Sequence, residues 1–425
     1  MDANEIAKIA QIASALEVSG YPKPGNVHRT RDYDDMVFED FVISGIVIGD
    51  SIREACTDVD VENPELGKYI LQAVAETDRW INNNTNLGIV MMTTPIAVAA
   101  AISDSFDDIR ENIKLLMSNT SVDDACDLYD AINIADAGGM GDQDEYDVAS
   151  DNAKNELREN NQTMYDVLKI SAPWDMLARE MTSDMPAVFE IGYPTYHELK
   201  AEKSQNEACL LTFLTILSHV PDTLISRKYG DDEALKISLM TRDLLKMKDA
   251  SDFIDRVAEF DDYLFNNKYN PGTTADLTAA SIFVSYLKSN FCCGSMDKKI
   301  ALAPCNGMSA NGLVSRVAVG DCINANENVI SICMGSTSAD IEGKNDEMLK
   351  KYPIVAINGC ANGCVNKILK NKGIDVAGTI AVNEVLEDYE VSAKDPFRLD
   401  SEAEECVKII VGELNKTIET FQNIP

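Results

Sequence analysis

Glu17-Val-Ser-Gly-Tyr-Pro-Lys-Pro-Gly-Asn-Val-His-Arg29 follows directly on a segment in which Ile6, Ile9, Ala10, Ala13 and Leu16 recur at helical spacing. That spacing predicts an amphipathic helix with one face packed against other elements. The two prolines and the glycine then end it, because proline fixes its own φ and has no N–H to donate. On so stiff a backbone the Pro22-Lys-Pro-Gly25 turn is expected to aim Lys23 outward, with His28, Arg29 and Arg31 close behind. Clustered cations in an otherwise acidic chain point to a seat for a phosphorylated substrate.

Beyond this turn the helical pattern continues to about residue 290. The stretches 38–52, 93–102, 208–217 and 275–287 have helical apolar spacing or are apolar all round, as at the centre of a bundle. Polar connections rich in Gly, Asn and Asp separate them at 21–35, 82–88, 137–147, 220–230 and 266–274. From Lys298 the pattern changes to short Ile- and Val-rich runs at 300–303, 329–333, 354–357 and 376–382, alternating with helical segments. The expected fold is therefore multi-domain: an all-α domain over 1–290, a connector at 291–298, and an α/β domain over 299–425 with a mainly parallel sheet. Cysteine usage changes at the same place. Cys56, Cys126 and Cys209 precede residue 290, while the other eight cysteines follow it.

The chain has 425 residues, too many for one compact core. Its formal net charge of −34 argues against nucleic acid or an anionic membrane as partner. A polyanion such as ATP would need a local basic patch and a divalent cation. No apolar run approaches the ~20 residues needed to span a bilayer. The Met1-Asp-Ala-Asn-Glu5 start lacks the basic region of a signal peptide, so a cytoplasmic location with reduced thiols is expected.

Further chemistry clusters in the connections: Asn82-Asn-Asn-Thr-Asn-Leu-Gly88, Ala137-Gly-Gly-Met-Gly-Asp-Gln-Asp-Glu-Tyr-Asp147, Asp222-Thr-Leu-Ile-Ser-Arg-Lys-Tyr-Gly230 and Asn270-Pro-Gly-Thr-Thr-Ala-Asp276. In order and spacing Glu17–Arg29, Asn84–Gly88, Tyr129–Val148, Asp222–Gly230 and Asn270–Leu277 resemble the triphosphoribosyl-dephospho-CoA synthase family over nearly all of residues 5–290. The resemblance implies an all-α fold, dependence on Mg²⁺, and transfer of the triphosphoribosyl unit of ATP to the 2′-hydroxyl of 3′-dephospho-CoA with release of adenine. Asp34 or Asp35 and Asp276 are the candidate carboxylates for the oxocarbenium-like state and for proton transfer. Lys23, Pro24, Gly25, Arg227, Lys228 and Gly272 are candidates for the triphosphate, and Asn84, Thr85 and Asn86 for ribose or base. Asp144, Glu145 and Asp147 are candidate Mg²⁺ ligands. Asp32-Tyr-Asp-Asp-Met36 stands where many members carry a His-x-Asp-Met-type sequence, which leaves transfer to a different cofactor-precursor acceptor as an alternative. A non-catalytic protein that binds nucleotide and metal is a third reading.

In the second domain, Ala303-Pro-Cys-Asn-Gly-Met-Ser309 and Ile354-Val-Ala-Ile-Asn-Gly-Cys-Ala-Asn-Gly-Cys364 each run from a strand into a helix. Thiols at such positions are acidified and suit soft metals. Residues 299–420 resemble a small zinc-binding family named for an Asp-Gly-Cys motif, here Asn358-Gly-Cys360. Cys305, Cys360 and Cys364, with Cys322 or Cys333, are the expected Zn²⁺ ligands. Oligomeric state is not legible.

Overall fold

The computed structural model describes residues 1–83, 85–136, 146–294, 299–326, 328–339, 341 and 344–422. The chain divides into two compact units, Met1–Phe291 and Cys292–Pro425. No single helix among the described residues is long and apolar enough to cross a membrane.

The first unit is helical: α1 (Ala3–Ser19), α2 (Phe38–Ala55), α3 (Leu66–Ile81), α4 (Leu87–Ile102), α5 (Ile109–Ser118), α6 (Val122–Ile134), α7 (Ala153–Glu159), α8 (Met164–Ser171), α9 (Met176–Thr182), α10 (Tyr193–Glu202), α11 (Gln205–His219), α12 (Thr223–Tyr229), α13 (Asp231–Leu245), α14 (Phe253–Asn266) and α15 (Gly272–Gly294). Asp2 starts α1 by accepting from the N–H groups of Asn4 and Glu5 at 2.9 and 3.3 Å. Ile6, Ile9, Ala10 and Ala13 bury its apolar stripe. Helix α4 is apolar all round and buried through Ala100, with Pro95 inside it, so it forms the centre against which α1, α2, α3 and α5 pack. The connection at 220–230, expected to be a loop, contains α12. Asp222 accepts from the N–H groups of Leu224 and Ile225 there, and such capping outweighs the turn-like composition.

In the second unit four parallel strands lie in the order β2-β1-β3-β4: β1 (Ile300–Pro304), β2 (Val329–Ser331), β3 (Ile354–Asn358) and β4 (Gly378–Ala381). Leu302 pairs with Ser331 and Val355, and Ile357 with Ile380. Side-chain alternation sorts the two faces. Ile300, Leu302, Val355 and Ile357 meet Val314 of α16 (Ala310–Ala325) and, on the C-terminal helix Ser401–Gln422, Ile410 and Leu414. Ala301, Ala303, Ile354 and Ala356 face the opposite way, towards Val365 and Leu369 on the helix Cys364–Asn371.

Candidate active site

The opening turn is wired inward. Gly25 has φ +71°, and a Cβ on it would fall 2.2 Å from the Tyr269 carbonyl oxygen and 2.7 Å from Leu264 Cβ, so only glycine fits there. Its N–H donates to Asp261 Oδ1 at 2.9 Å. Asp261 Oδ2 meets His28 Nε2 at 3.1 Å and Arg31 Nε at 2.9 Å. Arg29 donates to the Ser19 carbonyl and lies over the Tyr21 ring.

Lys23 departs most from the sequence expectation. It is fully buried in an ion pair with Glu17, and its Nζ also donates to the Glu17 carbonyl at 3.2 Å. The turn aims the lysine at the end of its own preceding helix, because a carboxylate waits there on the buried side. Lys23, Pro24 and Gly25 therefore hold the turn and are absent from the lining of the cavity beside it.

That cavity has a volume of about 680 Å³. Described residues of all five motif segments line it: Glu17 and Asn26 from the first, Thr85, Asn86 and Gly88 from the second, Asp136 from Tyr129–Val148, Arg227 and Lys228 from α12, and Asn270, Gly272, Thr273 and Asp276 from the last. Asp35 also lines it from the 32–36 segment, whereas Asp34 is exposed away from it. Asn84, Asp144 and Glu145 lie outside the described residues. Asp147 is not in the lining, and its Oδ1 accepts from the Ala149 N–H at 3.0 Å, so its carboxylate caps a turn.

Asp276, the fifth residue of α15, is enclosed by protein yet opens onto the cavity. Burial pushes its carboxyl well above the ordinary carboxylate range. The charges of Glu17, Asp222 and Asp175 add to this, and Arg227 opposes it. Gly88 allows the approach, since a Cβ there would lie 2.0 Å from Asp276 Oδ2. Arg227 is ion-paired with Asp175. Two buried polar atoms of lining residues, Arg227 Nε and Thr85 Oγ1, have no hydrogen-bond partner among the described residues. Unsatisfied buried donors carry a cost that a polar ligand removes. Asn86 Nδ2 donates to Thr77 Oγ1 at 2.9 Å, and Lys228 is exposed at the rim.

Glu17, Trp174 and Asp175 line the cavity but carried no role in the sequence reading. Glu17 left one signal: it continues the 6-10-13 spacing of α1, so a charge stands on the buried stripe. Trp174 and Asp175 lie in a short connection between α8 and α9, where no local pattern marks them.

In the second unit, Cys305, Cys333 and Cys360 follow the carboxyl ends of β1, β2 and β3, and Cys364 opens the next helix. Cys305 Sγ accepts from the Gly307 N–H at 3.4 Å. Hydrogen bonds from Ser336 pull the exposed Cys333 thiol below its ordinary value. Cys322 is a correction. It is buried against the other face of the sheet with Leu302 and Cys406, where the alternation of β1 keeps it from Cys305. As the side chains stand, no three His, Cys, Asp or Glu residues among those described form a metal-holding group.

The first unit is thus a helical domain whose connections close around one carboxylate-lined cavity. The chain belongs to the ATP:dephospho-CoA triphosphoribosyl transferase family, whose model matches residues 3–294. Residues 301–410 match the DGC domain. The crystal structure of a protein provisionally assigned as a triphosphoribosyl-dephospho-CoA synthase, from Archaeoglobus fulgidus, is 20% identical, with 58% of this chain and 98% of that chain covered and a TM-score of 0.48. A search of curated proteins found no significant match.

Proposed function

We propose that the first unit transfers the triphosphoribosyl group of ATP to the 2′-hydroxyl of 3′-dephospho-CoA and releases adenine. The observation that carries this reading is the meeting of all five motif segments at one cavity, with the enclosed Asp276 carboxyl in its wall. Family membership supports the substrate pair. Breaking an N-glycosidic bond develops positive charge at the ribose C1, which wall carboxylates stabilise. Asp276 is assigned to take the proton of the attacking hydroxyl. Arg227 and Lys228 are assigned to the triphosphate, and the free Thr85 hydroxyl to a ribose or base atom.

Mg²⁺ fits the chemistry of the donors, since it takes one or two carboxylates together with substrate phosphates. Asp35, Asp78 and Asp136 line the same cavity without forming a three-carboxylate group as they stand, and one or two of them would hold it together with phosphate oxygens. When bound, it would neutralise charge on the triphosphate. The test is to incubate the protein with ATP, Mg²⁺ and dephospho-CoA and to follow free adenine and a mass gain on the acceptor. Adenine released only with another acceptor would replace the acceptor assignment, and no adenine with any acceptor would reject the reading.

Trp174 is 38% exposed and lines the cavity beside Leu168 and Leu177, so its ring is assigned to the purine. A stacked base contributes ~1–3 kcal/mol, so Trp174→Ala is expected to weaken ATP binding roughly ten- to hundredfold. Trp174→Phe is expected to restore most of it. An unchanged Kd in the alanine variant, measured by calorimetry, would remove Trp174 from the base site.

For the second unit we propose soft-metal binding, Zn²⁺ by donor chemistry, by Cys305, Cys333, Cys360 and Cys364, supported by the position of the first three just past strand carboxyl ends and of Cys364 at the start of the helix after β3. Elemental analysis of anaerobically purified protein is expected to find metal that Cys360→Ser loses. Less than about half an equivalent in the unaltered protein would reject a tight site.

A further inference from the structure

The buried Lys23–Glu17 pair is not used by the chemistry above, yet one of its members reaches the cavity. Glu17 ends the apolar stripe of α1, is 1% exposed, and lines the same cavity as Asp276. On its far side it is closed off by Lys23, which is itself covered by protein and lies 6.0 Å from the Phe213 ring centroid. Cys209 is the other titratable neighbour, its Sγ donating to the Glu17 carbonyl at 3.7 Å. A lysine with no exposed surface cannot meet a triphosphate, so its charge acts within the protein, on Glu17 in direct contact and on nearby Cys209.

We propose that Glu17 is a second catalytic carboxylate, held ionised by Lys23 and facing the ribose C1, while Asp276 carries the proton from the acceptor hydroxyl to the departing adenine. The proposal rests on the transfer reading and deepens it. In this step the C1–N9 bond of ATP breaks and its electron pair leaves with adenine. Asp276 gives its proton to the purine. A C1–O bond forms to the acceptor hydroxyl, whose proton returns to Asp276, so the carboxyl is regenerated and nothing is oxidised or reduced. Lys23 touches no substrate and is a positioning residue.

The environments of the two carboxyls differ in the way this division of labour needs. Burial raises the Glu17 carboxyl above its ordinary range, and the Lys23 ammonium in contact with it opposes part of that rise. Asp276 faces Glu17 from α1, Asp222 at the N-cap of α12, Arg227 within α12, and Asp175 from the α8–α9 connection. Three of those four groups are negative, and the one cation is already paired with Asp175. Asp276, raised further and with no cation of its own, is therefore assigned the proton, and Glu17, ion-paired with Lys23, the charge.

The test is adenine release against pH for the full chain and for Glu17→Gln, Glu17→Asp, Lys23→Arg and Lys23→Met, with the Kd for ATP measured on each. Activity should fall as pH rises through the Asp276 ionisation, because the protonated acid is then lost. Glu17→Gln removes a like charge from beside Asp276, so this alkaline limb should move to lower pH, with the rate reduced ~10²–10³-fold and ATP binding kept within about threefold. Glu17→Asp keeps the charge and should keep the limb near its original pH, which covers the case of a glutamine variant that fails to fold. Lys23→Arg should retain far more activity than Lys23→Met. An unmoved limb in Glu17→Gln, or a loss of ATP affinity as large as the loss of rate, would overturn the proposal and leave transfer standing. Absence of adenine release by the unaltered protein would overturn both.

Discussion

Asp276→Asn is expected to slow adenine release by ~10²–10⁴-fold, the range for loss of a positioned acid or base, while ATP still binds. The amide matches the carboxyl in shape and cannot exchange the proton. The same substitution gives a stability result of definite sign. The folded-state carboxyl binds its proton more tightly than the unfolded one, so the native protein holds the extra proton above the ordinary carboxylate value of 3.8. Stability contributed by Asp276 is therefore fully present below that value and declines as pH rises towards the raised one. Asp276→Asn should remove that decline, so urea midpoints of the two proteins should diverge with increasing pH in favour of the variant. Parallel midpoints across pH would contradict the raised ionisation, and an undiminished rate would remove Asp276 from the chemistry.

Gly88→Ala is the second large effect. The added Cβ would meet Asp276 Oδ2 at 2.0 Å and Cγ at 2.4 Å, so the carboxyl must move. Overpacking at such a site costs ~1–3 kcal/mol of stability. Displacing a catalytic group by ~1 Å costs on the order of 10²-fold in rate. The two losses have one cause, which a double-mutant cycle reads directly. Once Asp276 is already Asn, adding Gly88→Ala should cost the reaction little more, and additive losses would show that Gly88 acts elsewhere.

The elements that were legible are those fixed by local physics. The apolar stripe of α1, the all-apolar α4 and the Ile/Val runs of β1 and β3 bury in the way their periodicity dictates. The motif segments were legible as turn chemistry, and Asp276 could be singled out as an acid at the start of a helix. The orientation of Lys23 was not legible. A Pro-Lys-Pro-Gly turn stiffens the backbone, but which way the lysine points depends on whether a partner lies inside or outside. Glu17, only six residues back, lies inside. Asp261 shows the same limit at longer range. It sits on α14, more than two hundred residues from the turn, and still takes the Gly25 N–H, His28 and Arg31. Asp34 and Asp35 are adjacent and chemically identical, yet only Asp35 lines the cavity.

A helical domain before a parallel α/β domain, five polar segments in family order, and the gathering of thiols in the second domain are all legible in the sequence alone. Hydrophobic period, proline and glycine placement and residue type act over a few residues, so they can be read along the chain. Which charges pair with each other and which stay open to a ligand is set by contacts between distant parts of the chain. That choice turns on burial, where an unpaired charge is too costly to keep and a neighbour from a distant helix settles each group's partner and protonation. It made Lys23 a buried counter-ion, separated Cys322 from Cys305 across the sheet, and put Glu17 beside Asp276 at the cavity wall.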